Sequence, residues 1–219
     1  MKSLLIKKIC ILHAVGALAA IFGILACPRY GIVPVKKISL AEYIEWYVPQ
    51  AEVGKAPYPY TLKIAPVEIL DDIKSDYGPN GIFRKEFSLE LEEGAETYFR
   101  RRGIFSAVQN KDAQFSLAMK VIEYKASAGA KPHKISLILG ITFTNLETLK
   151  TYLFGKIGSE VLIPIRELIK PTEITPPGFG QPITVEKGAI LMGQICLRIF
   201  QNLENQALIH REQILKELK

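Results

Sequence analysis

The side chains able to do chemistry are few and scattered. Cysteine occurs at Cys10, Cys27 and Cys196, and histidine at His13, His133 and His210. Thiolates and imidazoles hold zinc as sets of three or four at short spacing, and no such set occurs here. His133 follows Lys131-Pro132 in a turn, and His210 lies at the polar end of the last helical pattern. Neither has a carboxylate or thiol at ligand spacing, so both read as surface residues. The GxSxG, Walker A, GxGxxG and HExxH patterns are absent. The nearest glycine cluster, Gly178-Phe179-Gly180, is flanked by prolines. Prolines withhold the backbone N–H groups that a phosphate cradle needs. Asp71-Asp72 closes a strand pattern, where hydrolytic carboxylates can sit, but adjacent acids on a solvated loop are ordinary turn residues. The expectation is a chain without catalysis, cofactor or metal, with a hydrolase using Asp71 or Asp72 as a third and least favoured reading.

Cys27 differs from the other cysteines because of what precedes it. Lys2, Lys7 and Lys8 form a positive start, and residues 9–26 then carry no formal charge at neutral pH. That run fits an export signal and lies near the lower limit for a membrane-spanning helix, about 17–25 residues. It ends in Ile24-Leu25-Ala26-Cys27. These four residues resemble the lipobox of bacterial lipoproteins, with Ile24 where leucine is more usual. The resemblance implies cleavage between Ala26 and Cys27 and acylation of Cys27. Residues 1–26 are then a signal peptide, and the body is held at a membrane of the cell envelope on the periplasmic side. One acyl chain anchors weakly, while two or more anchor durably. Pro28 is not the aspartate that marks inner-membrane retention in enteric lipoproteins. The alternatives are an uncleaved signal anchor and a buried apolar helix.

Cleavage would remove Cys10 and acylation would occupy Cys27, leaving Cys196 as the free thiol. It sits in an apolar helical pattern, so burial is expected; a Cys27–Cys196 disulfide requires an unacylated Cys27. The net charge is +6, yet three of the 28 basic residues lie in the apolar leader with no acid, leaving 25 against 22 acids. That near balance excludes a dedicated nucleic-acid binder, which needs a concentrated cationic face.

Residues 27–59 hold five prolines and two glycines and read as the acylated cysteine followed by a Pro-rich tether. Within it, Leu40, Tyr43, Ile44 and Tyr47 share one helical face. Tyr43, Trp46 and Tyr47 either pack on the domain or sit at a membrane interface. An α+β domain is expected over 60–219. Residues 61–70 read as a strand interrupted by Pro66. Residues 83–102 read as a helix whose acids come early and whose Arg100-Arg101-Arg102 comes last, stopped by Gly103. Strands follow at 113–125, 135–145 and 148–157, joined as an antiparallel meander. Residues 161–165 look extended, an irregular loop covers 171–182, and one long helix runs over 185–218. The order strand–helix–strand–strand–strand–helix predicts a mostly antiparallel sheet of about four strands with two helices on one face.

The stretch from the helix through Gly103-Ile104-Phe105-Ser106-Ala107-Val108 to Asp112-Ala113-Gln114-Phe115 is similar to a pattern in periplasmic auxiliary lipoproteins of ABC-type lipid transport and envelope assembly. The likeness implies a fold and transfers no catalytic residue. It suggests a binding or assembly component with a membrane attachment and an envelope protein partner. The residues picked out for partner contact are Ile174 and Phe179 in the Pro-rich loop and the Arg100, Arg101 and Arg102 cluster, with the apolar residues of 203–218 as a helix-pairing face. The alternative is a lipoprotein that holds an apolar small molecule or lipid.

Overall fold

Alternation of apolar and polar residues sets the sheet, and the computed structural model shows how its strands are ordered. It describes residues 35–52, 56–70, 73, 81–126, 133–163, 167 and 170–217. The elements are α1 (Leu40–Tyr47), β1 (Tyr58–Ile64), β2 (Glu68–Ile69), α2 (Gly81–Arg102), β3 (Phe105–Val108), β4 (Phe115–Ala126), β5 (His133–Asn145), β6 (Thr151–Ile163), β7 (Pro171–Ile174), β8 (Ile183–Glu186), α3 (Lys187–Ile209) and α4 (Arg211–Glu217).

The α+β class is as expected, but the sheet is mixed. Its order is β3-β1-β4-β5-β6, with β2 on β4. Only β4–β5 and β5–β6 are antiparallel; β1 pairs in parallel with β3 and with β4. The meander expectation, made for the last three long strands, holds; the parallel pairs of β1 and β2 are what make the sheet mixed. The chain changes sides of β1 at Leu62, which pairs with both Val108 and Phe115. The crossing loop is tied down by Gln109 N–H to the Leu62 carbonyl at 2.8 Å. It is also held by the reciprocal pair Thr61 N–H to Gln114 Oε1 (3.2 Å) and Gln114 N–H to Thr61 Oγ1 (3.0 Å). Pro66 lies between β1 and β2, where no ladder bond is lost.

One face of the sheet is closed. Phe115, Leu117, Met119 and Val121 on β4 and Leu137, Leu139, Ile141 and Phe143 on β5 are all buried. Aromatic rings fill the layer, with Phe115 stacked on Phe143 at 4.6 Å and Tyr58 on Phe105 at 5.0 Å. Such offset pairs add to area burial by about 1 kcal/mol each. From α2, Leu91, Ala95, Tyr98 and Phe99 enter this layer, and from α3, Ile195, Cys196, Ile199, Phe200 and Leu203. Gly103 ends α2 as expected, with φ +57° and its N–H on the Phe99 carbonyl at 3.1 Å.

Four other expectations are corrected. The compact unit begins at Val35 rather than Tyr60. Within the expected tether, Ile38, Leu40, Tyr43, Ile44 and Val48 are buried and α1 belongs to the domain. Its start is capped by Ser39 Oγ on the Glu42 N–H (3.1 Å) and by Glu90 Oε2 on the Leu40 N–H (2.6 Å). Residues 171–186 are a short hairpin, β7 on β8, rather than wholly irregular. The closing helix is two helices. At His210 the chain turns so that Arg211 Nε donates to the Pro57 carbonyl (2.6 Å) and Ile214 is buried. The third long strand also runs six residues past its expected end, to Ile163.

Candidate functional site

The arginine cluster at the end of α2 is divided by its surroundings. Arg100 is exposed and pairs with Glu96 one turn earlier. Arg101 Nε donates to the Val48 carbonyl at 2.7 Å, while its own carbonyl accepts from Ala51 N–H at 2.6 Å, which fastens the exit of α1. Arg102 grips Glu204 of α3 with Nη2 to Oε1 at 2.6 Å and Nε to Oε2 at 3.0 Å. The Glu204 side chain is 8% exposed and also accepts from the Tyr98 hydroxyl. Burial, then the Glu204 bond, pushes the Tyr98 phenol far above its ordinary range. The Glu204 bond raises the Arg102 guanidinium further. Carboxylate, phenol and guanidinium thus satisfy one another, and Glu204 is engaged by its own chain as an acceptor.

Around this triad lies an open cleft of about 430 Å³, walled by Tyr47, Val48, Pro49, Gln201 and Asn205. A second cleft of about 540 Å³ opens at the other end of α1, between Lys37–Leu40, Glu86–Glu93 and Ala189–Gly193. Phe179 is 44% exposed at the tip of the β7–β8 loop, edge-on to Trp46 at 5.6 Å. Ile174, in β7, is half-buried and packs on the core. So Phe179 and Arg100 remain presented to solvent, whereas Ile174, Arg101 and Arg102 are wholly or partly occupied within the domain. Tyr43 is buried and Trp46 packs against the core, as the domain-packing reading of these rings has it, whereas Tyr47 is exposed.

Among the described residues no group of His, Cys, Asp and Glu is placed to hold a metal. No helix among them is long and apolar enough to cross a membrane. Cys27 and the leader, the Asp71-Asp72 pair and the 78–81 turn signal up to Asn80 lie outside the described residues, as does the side chain of His133. His210 ends α3 as its C-cap.

Cys196 is fully buried, and burial pushes its thiol up to about 12. The thiolate is the reactive form. In mildly alkaline buffer, Cys196 of the folded protein should therefore resist iodoacetamide while the guanidinium-unfolded protein is alkylated there, as read by peptide mass. Equal labelling in both states would contradict the burial.

No family model and no curated protein matches the sequence. Solved structures do resemble it. A Xanthomonas campestris protein of family DUF330, XCC0632, is 13% identical over 77% of this chain and 95% of that one, with a TM-score of 0.48. The hypothetical protein CT253 of Chlamydia trachomatis is 9% identical over 68% of this chain and 97% of that one, with a TM-score of 0.46. A minor lipoprotein of Acinetobacter baumannii is 13% identical over 69% and 94%, with a TM-score of 0.33. Solved structures that resemble this chain thus include a bacterial lipoprotein, and at these identities none assigns a role to a residue.

Proposed function

We propose that the protein is a lipid-anchored component of the cell envelope that works by binding a partner protein, without catalysis. The observation that carries this reading is the end of the charged-then-apolar leader in Ile24-Leu25-Ala26-Cys27. In it, residues 1–26 are removed, Cys27 carries the acyl chains, and the domain beginning at Val35 faces the periplasm. Phe179 and Arg100, both exposed, offer an aromatic anchor and a guanidinium of the kind enriched at contact surfaces.

The test is metabolic labelling with an alkyne fatty acid in a bacterial host. Wild type should incorporate label and stay with membranes after carbonate extraction; Cys27→Ala should lose the label and keep its leader. Label that survives Cys27→Ala, or its absence from wild type, overturns the anchor. A second reading, an apolar-ligand carrier, draws on the cleft beside Phe87, Leu89 and Met192. Lipid found by mass spectrometry in protein purified without detergent would favour it.

A further inference from the structure

β6 is the edge of the sheet, with β5 as its neighbour on one side. It is 13 residues long, against 4 for β3 at the opposite edge. Average strands have about 5–6 residues. An edge of this length presents a row of backbone donors and acceptors that another strand completes. Its core-facing positions include Ile157, Ser159 and Val161, which stand opposite Leu139, Leu137 and Ile135 of β5. The other face carries, in order, Lys156, Gly158, Glu160 and Leu162, all exposed.

That order specifies a register. In an antiparallel pair of identical strands about a two-fold axis, directly opposite residues share a face, so the axis falls on one residue. An axis at Lys156 sets lysine against lysine, and one at Glu160 sets glutamate against glutamate. An axis at Gly158 sets Lys156 against Glu160 of the other copy, twice, with the two glycines facing each other. Opposite charges directly across strands stabilise the pair, and like charges destabilise it. A lysine on an edge ordinarily wards off another strand; with glutamate four residues on, the same lysine selects one partner and one alignment. Lys156 has no ion pair among the described residues. Glu160 already takes part in an interaction within its chain, and a carboxylate accepts from several donors at once.

We propose that two copies of this chain associate through β6, antiparallel and centred on Gly158, into one continuous sheet with both helical layers on the same side. This inference stands apart from the anchor: it holds whether or not Cys27 is acylated.

The full chain in detergent should sediment as a dimer. Lys156→Glu, at an exposed position, should weaken the dimer about tenfold or more, and so should Glu160→Lys. The exchange Lys156→Glu/Glu160→Lys should restore it, which a lost fold or a leader-driven aggregate would not do. A carbodiimide should join Lys156 to Glu160. On one strand these lie about 13 Å apart, too far for a zero-length link, so the product must connect two chains, and a mixture of light and heavy isotope samples should give hybrid peptides. A monomer, a self-association indifferent to charge reversal, or an exchange variant that stays dissociated would overturn the proposal.

Discussion

Arg102→Met should lower the stability of the domain by about 3 kcal/mol, seen as a fall in the urea midpoint with an unchanged slope. Removing one partner of a buried ion pair leaves the other charge desolvated and uncompensated, at a cost of about 3–5 kcal/mol. The low end applies because the Arg102 side chain is 38% exposed while Glu204 is 8% exposed. Glu204 would keep only the Tyr98 hydroxyl. The reverse experiment separates this cause from lost packing. Tyr98→Phe, Arg102→Met and Glu204→Met together remove every polar member and should recover most of the loss. If the triple variant is less stable than Arg102→Met alone, the triad contributes net stabilisation rather than neutralising a buried charge.

Gly193→Ala should also destabilise, although alanine is the better helix former by about 1 kcal/mol. A Cβ at Gly193 would stand 2.6 Å from Cγ and Cδ1 of Tyr43. That ring is planar and backed by Tyr47 at 4.6 Å, so it has little room to retreat. Overpacking of this kind costs about 1–3 kcal/mol and outweighs the helical gain. Gly94→Ala meets both Cγ and Cδ2 of Leu40 at 2.5 Å; rotating the terminal methyl groups leaves Cγ in place, so it should destabilise by the same overpacking. Trp46, the chain's single tryptophan, lies on α1 and reports the outcome. Its emission should shift to the red in Gly193→Ala if α1 lifts. Unchanged emission with raised stability would mean that the ring moves freely.

The contrast between these helices shows what can be read from residues alone. α2 and the paired strands β4 and β5 were legible because their signals are local: three-to-four spacing, a terminal glycine, strict alternation. Cys196 was legible for the same reason. The helical face of α1 was legible, but its place inside the domain boundary was not, because its docking depends on glycines at 94 and 193, far away in sequence and silent as to what approaches them. β1 was legible as a strand but its neighbours were not, because it pairs across 40 and more intervening residues, and parallel pairing leaves no turn signature. The break at His210 has no proline or glycine to mark it; the Pro57 carbonyl that receives Arg211 lies 154 residues away. At the site, Arg100 stays at the surface. Arg101 and Arg102 turned inward to partners, Val48 and Glu204, that spacing does not reveal. The triad's carboxylate was masked by the polar pattern of its helix.

The junction of first and last elements has a consequence for biogenesis. The Tyr58 hydroxyl donates to the Ala207 carbonyl at 2.5 Å, and Tyr43 rests on Gly193. Whichever residues emerge first from the ribosome must wait for those that emerge near the end before they can close. Contacts of such long range delay folding. A polypeptide so arranged cannot close this junction until its last helices have been made.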